Sequence, residues 1–175
     1  ICFLISFAIL SNFLLTVVMT LNGFLLVDKC EGPSSFKIVH QLRGLTGIKK
    51  IGHAGTLDPF ASGLLILALG RSFTKQLDTL QHLSPKVYEM TLQLGASTPS
   101  LDPETPIDQH CAVPDLSDSR IIEACTPFIG AIQQIPPIYS AKHVNGKRSY
   151  ALARKGLSPV LGPVTVSISS LEVLD

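Results

Sequence analysis

The stretch from Gly52 to Leu69 constrains this chain more than any other. Gly52 and Gly55 bracket His53-Ala54, and glycines so spaced let a backbone bend sharply and lie against a ligand. Asp58 follows, the only carboxylate between Glu31 and Asp78. Pro59 fixes its own φ and drives Asp58 out of the helical region. Asp58 therefore reads as an N-cap with proline at the first helical position, in a turn that ends near Gly63. The uncharged run Leu64 to Leu69, closed by Gly70, has the character of a buried strand. A rigid strand is expected behind a glycine-rich loop that carries one acid. That acid is either a cap or a reacting group.

Upstream, Phe24 to Val27 forms a short strand and Glu31-Gly32-Pro33 a turn. Ser34 or Ser35 caps a helix running to about Arg43, with Ile38, Val39 and Leu42 at helical spacing. Gly44 and Gly47 end it. Lys49 and Lys50 lead into the loop. Beyond Gly70, a helix stops before Pro85. Lys86 to Leu94 alternates as a strand does: Tyr88, Met90, Leu92 and Leu94 share one face, and Glu89, Thr91 and Gln93 the other. Tyr88 is then inward, as a core residue or as the border of a pocket. Four prolines, from Pro99 to Pro114, punctuate an acidic loop. A helix is predicted over Asp115 to Ile129 from a Ser117 or Asp118 cap. Tyr150 and Arg154 sit one turn apart on another. Pro163 to Leu174 is strand-like.

The 175 residues carry a formal net charge of only +1, but the charge is uneven. Gly32 to Leu57 holds Lys37, Arg43, Lys49 and Lys50 and no acid. Lys142 to Lys155 holds Lys142, Lys147, Arg148, Arg154 and Lys155 and no acid. The acids gather between Glu89 and Glu123. Such blocks suit a basic face for phosphates, or ordinary solvated charge. Four cysteines lack C-x-x-C spacing, so zinc is not expected, and scattered thiols fit a reducing cytosol.

Ile1 to Val18 is apolar and uncharged, long enough to span a membrane. It begins with Ile, lacks a basic leading region and is broken by Ser11-Asn12. It is expected to be an extension outside the folded protein, with a membrane anchor as the other reading.

Gly52 to Leu65 resembles the catalytic motif of the TruB family of tRNA pseudouridine synthases, G-H-x-G-x-L-D-P-x-A-x-G-x-L. Ala54 resembles the bacterial branch. Asn22, Gly23, Leu25, Asp28, Lys29, Gly32 and Ser35 match that family's N-G-x-L-x-x-D-K-P-x-G-x-x-S, with Cys30 in place of proline. Arg71-Ser72-Phe73-Thr74-Lys75 is similar to its G-x-A-T-K. Lys86-Val87-Tyr88 matches its K-x-Y. Gln134 to Gly156 resembles its Q-x-P-P-x-Y-S-A-x-K-x-x-G-x-x-x-Y-x-x-A-R-x-G, with His143 at the lysine.

The resemblance implies an α+β fold, with a mixed, mostly antiparallel sheet and flanking helices. Residues 19–175 would be the N-terminal portion of the catalytic domain. The family's later K-G-x-Y-I-R motif and small RNA-binding PUA domain fall outside the sequence. Asp58 would be the catalytic carboxylate. Tyr88 would stack on the target base and is a candidate general base. Lys29 would lie by the active site, unless it is a surface lysine in a turn. His53 would fill the space vacated by a flipped base, unless it is a turn histidine bonded to the backbone. Lys49, Lys50, Lys147 and Arg154 would meet RNA.

The implied reaction converts the T-loop uridine (position 55) of tRNA to pseudouridine, without cofactor or metal. A cytoplasmic monomer with tRNA as its partner is expected. The missing motif would supply an arginine that pairs with Asp58, so residues 19–175 alone are not expected to turn over. Two other classes stay open: a non-catalytic RNA-binding or tRNA-folding protein, and a membrane protein resting on Ile1 to Val18.

Overall fold

A computed structural model describes residues 21–83, 85–140, 142–144 and 146–174. The extension expected at residues 1–18 lies outside the described residues. Among the described residues no helix is long and apolar enough to cross a membrane. The chain divides into two compact units, one through Glu89 and one from Met90.

The first unit is built on a three-stranded antiparallel sheet. Its elements are β1 (Gly23–Lys29), α1 (Ser35–Thr46), β2 (Ile51–Ala54), β3 (Gly63–Leu69), α2 (Arg71–Thr74) and α3 (Leu77–Leu83). The uncharged run becomes the central strand, in the order β1-β3-β2. Leu67 faces Leu25 on one side and His53 on the other. Leu65, Leu67 and Leu69 project to the face where Val39 of α1 and Ile51 close the core, with Ile38 and Leu42 packed beside them. Ala68 projects oppositely and is also buried. There Phe24 meets Phe73 edge to face, with ring centroids 5.2 Å apart. Leu64, farther along β3, is exposed, so burial on both faces is confined to the Leu69 end of the strand.

Local chemistry sets the helix bounds. Ser34, not Ser35, is the N-cap, accepting the Lys37 N–H at 3.2 Å. Gly47 takes the left-handed conformation at φ 71° and returns its N–H to Arg43. Gly44 stays within the helix and does not end it. Gly52, expected to admit a ligand, instead admits a helix: a Cβ there would lie 2.8 Å from Leu77 Cδ1.

Two larger expectations also fail. Asp58 caps no helix. The Ala61 N–H closes a single turn onto the Asp58 carbonyl at 3.1 Å. The Pro59 carbonyl is taken by the Gly32 N–H at 2.7 Å, and Gly63 is already paired with Lys29 in the sheet. A helix starting at Pro59 would need Gly63 as its donor. The strand predicted over Lys86 to Leu94 also does not form: residues 85–93 carry no regular structure. Alternation specifies which face a strand would bury, but a strand also needs a ladder partner. Among the described residues no strand pairs with this one. Tyr88 is 67% exposed rather than inward.

The second unit uses short antiparallel pairs. β4 (Ala96–Ser97) and β5 (Gln109–His110) close the base of the acidic loop. α4 (Asp118–Cys125) follows the Ser117 cap and passes into a 3-10 turn at Thr126–Phe128, where Pro127 tightens the chain. It is shorter than the predicted helix. β6 (Gly130–Gln134) pairs later with β9. β7 (His143–Val144) and β8 (Lys147–Arg148) form a hairpin, and α5 (Ser149–Ala153) continues from it. β9 (Val164–Ile168) runs antiparallel to β6, Gly130 opposite Ile168. Only this part of the predicted strand to Leu174 is laddered. The architecture is α+β with antiparallel strands, as the sequence implied.

Candidate active site

Asp58 sits between two anchored neighbours. Leu57 packs its side chain against the core of Val39, Ile51, Leu65, Leu67 and Leu69. The Ser35 hydroxyl bonds both polar groups of the Leu57 backbone: it donates to the carbonyl and accepts from the N–H, each at 2.9 Å. On the other side the Gly32 N–H holds Pro59. The Asp58 residue itself is exposed. The loop thus carries an exposed acidic residue on a backbone fixed at either side.

His53 lies in β2, half-buried, with Nδ1 bonded to the Gly55 carbonyl. A bond to a carbonyl requires a proton on Nδ1, which leaves Nε2 as an acceptor in the neutral ring. The sequence reading of a histidine bonded to its turn is the arrangement seen. Lys29, expected by the active site with a surface lysine as the other reading, is fully buried at the end of β1, which excludes the surface reading. Its Nζ donates to the Cys30 and Pro33 carbonyls at 3.0 and 3.1 Å and so stitches the turn that leads to Ser35. A buried ammonium is costly unless bonded, and these carbonyls provide the bonds.

Lys49 and Lys50 are exposed ahead of β2. Lys50 opens onto a hollow of about 580 Å³ lined with Arg71, Thr74 and Lys75. The Gly70 N–H holds the Lys50 carbonyl at 2.9 Å, which fixes the two rims together. Arg71 and Lys75 were missed as candidate site residues. Their signal was the Arg71-to-Lys75 motif itself, read for similarity and not for charge.

The second unit holds the remaining candidates. Lys147 is exposed in β8. Arg154 caps the C-terminal end of α5, with its guanidinium 5.5 Å from the Tyr150 ring centroid, and it pairs with the Glu104 carboxylate of the acidic loop. The Glu104 hydrogen bond, then its charge, raises the Arg154 pKa above its ordinary value. The exposed acidic loop, expected to stay clear of phosphates, therefore occupies one of the predicted phosphate ligands.

The family model for the TruB family pseudouridylate synthase N-terminal domain matches residues 43–175. The chain belongs to the TruB family. A tRNA pseudouridine synthase B of Chlamydia abortus is 46% identical over 149 residues, covering 85% of this chain and 62% of that one. A second, from Campylobacter concisus, is 44% identical over 155 residues, covering 89% and 56%. The chain thus spans about six-tenths of the curated relatives it matches. Among solved structures, a Cbf5-Nop10-Gar1 complex matches with a TM-score of 0.45 and 26% identity, over 69% of this chain and 31% of that one. TruB membership covers Asp58 and its loop, the Lys50 hollow and the Arg154 helix, since all fall within the matched residues.

Proposed function

We propose that this chain carries the reacting carboxylate of an enzyme that converts the T-loop uridine (position 55) of tRNA to pseudouridine. The observation that carries the reading is Asp58, exposed on a loop whose backbone is pinned at Leu57 and Pro59, within a TruB family match. The reaction breaks the glycosidic C–N bond, turns the uracil and joins its C5 to C1′ of the same ribose. Nothing is oxidised or hydrolysed. The target base leaves its stack before Asp58 reaches the sugar. Asp58 then attacks C1′ or assists loss of the uracil through a glycal; carboxylates form such covalent adducts readily.

His53 stands at the strand end beside the loop, placed to occupy the space left by the base. Tyr88 is the stacking and general-base candidate. Lys29 supports the loop from within. Lys49 and Lys50, with the hollow lined by Arg71 and Lys75, are suited to a tRNA phosphate backbone. Lys147 and Arg154 are the corresponding contacts of the second unit. The enzyme works in the cytoplasm as a monomer on tRNA and takes no cofactor.

The test is Asp58→Asn in the chain carried on to the length of its curated relatives. The amide keeps the side chain's size and removes its charge. Tritium release from C5-labelled uridine in tRNA should be abolished while tRNA affinity is kept. Appreciable turnover by this variant would end the reading.

A further inference from the structure

The sequence pairs Ser34 with Ser35, and the structure separates their work. Ser34 already satisfies the first turn of α1 by capping Lys37. Ser35 is fully buried and makes no cap; its bonds go across 22 residues of chain to Leu57. A hydroxyl has one proton and two lone pairs. Here it donates to the carbonyl and accepts from the N–H of one residue. That is the exchange a hydrogen-bonded residue makes with its partner in an antiparallel ladder. One side chain thus replaces a strand at the point where the chain leaves β2 and no strand is at hand.

We infer that Ser35 is a positioning residue for the reaction: its hydroxyl fixes the Leu57 backbone and so aims the Asp58 carboxylate. The inference rests on the reading of Asp58 as the reacting group. Three observations support it together. The bonded residue directly precedes Asp58. Its side chain packs against the core, and the hydroxyl holds both polar groups of its backbone. The turn that delivers Ser35 also supplies the Gly32 N–H that grips Pro59, so the two residues flanking Asp58 are referred to one rigid segment. Lys29, by bonding the Cys30 and Pro33 carbonyls, keeps that segment closed. Removing the hydroxyl leaves the Leu57 N–H and carbonyl to find water, and the loop shifts to meet it.

The experiment compares Ser35→Ala, Ser35→Thr and Asp58→Asn. In the 175-residue chain, amide exchange is followed at Leu57 and along β3. Ser35→Ala should lose protection at Leu57 while Leu65 to Leu69 keep theirs. In the enzyme of full relative length, Ser35→Ala should lower kcat on the order of a hundredfold, the cost of a misplaced group, with KM for tRNA held within about twofold. Ser35→Thr keeps the hydroxyl and should recover most of that loss. A residue that served only stability would lower the active fraction but would not separate kcat from KM in this way.

Wild-type turnover by Ser35→Ala, with Asp58→Asn dead, overturns the positioning role and leaves the Asp58 reading intact. Turnover by Asp58→Asn overturns that reading directly, whatever Ser35 does. If Ser35→Ala loses protection along β3 as well, Ser35→Thr decides. Recovered folding and turnover assign the role to the hydroxyl, and continued unfolding makes Ser35 a packing residue and overturns the proposal.

Discussion

Through Glu89, the buried side chains are mainly apolar and meet across a sheet: Val39, Ile51, Leu65, Leu67, Ala68 and Leu69. From Met90 onward, the buried residues among those described are Ser100, Pro136, Ser149 and Ala153. Beside its short backbone ladders, the second unit uses several hydroxyl bonds. Thr98 Oγ1 donates to the Asp102 carbonyl at 2.8 Å and accepts its N–H at 3.1 Å. Ser100 and Thr105 share a hydroxyl bond at 2.7 Å, and Ser149 donates to the Ile138 carbonyl. The same two-handed hydroxyl therefore appears twice, with different backing. At Leu57 it aims a residue already rooted in a core. At Asp102 it closes a five-residue turn on an exposed loop. Apolar burial scales with area and resists water broadly, whereas one net hydrogen bond is worth about 1 kcal/mol. The first unit is the part suited to hold a reacting group still.

The strongest way to break this comparison is Leu67→Ala. The residue is fully buried at the centre of β3, so the loss should be about 2–5 kcal/mol. Urea unfolding followed by amide exchange should show β1 to β3 losing protection while the β6 and β9 ladder keeps its own. Equal loss in both ladders would make the two units one cooperative body. Gly70→Ala comes next. Gly70 sits at φ 86° and ψ 156°, a region open in practice only to glycine, and an added Cβ would run into Asn22 Oδ1. A cost of about 1–3 kcal/mol is expected, read as a lower urea midpoint of the first unit alone.

Ser149→Ala sharpens the contrast from the other side. It removes one hydroxyl bond to Ile138, and about 1 kcal/mol should be lost from the second unit only. The smallest effect is reserved for Glu104→Gln. The Arg154 pair is solvent-exposed, so its removal should change stability by less than about 1 kcal/mol, within reach of a thermal midpoint. A larger drop would show that the acidic loop depends on this one contact.

Where chemistry is local, the sequence was legible. Ser34, three residues ahead of Lys37, and the glycine at position 47 bound α1 because caps and left-handed turns depend on a few neighbouring atoms. The uncharged run from Leu64 reads as a buried strand, and it is the central one of its sheet. The loop motif placed Asp58 correctly in a turn. What failed needed knowledge of a distant partner. Lys86 to Leu94 alternates well, yet Met90 on its expected inward face is 80% exposed, since alternation does not supply a neighbouring strand. Asp58 and Pro59 have the makings of a cap, but Gly32, 27 positions away, takes the carbonyl a helix would use. Lys29 reads either as a residue by the active site or as a surface lysine; its burial depends on two carbonyls that only the folded turn brings near. Arg154 meets Glu104 across 50 residues, which no local pattern announces.

Leu57 packs its side chain against the apolar core one position before the carboxylate. With the Ser35 bonds intact, the loop is therefore expected to soften together with the sheet. Warming that loosens the leucines behind β3 also spreads the directions in which Asp58 points. Rate and folded fraction should then fall along a single curve. Selection for a faster or cold-adapted form would have to act through the core residues behind the loop, far from any atom of the substrate.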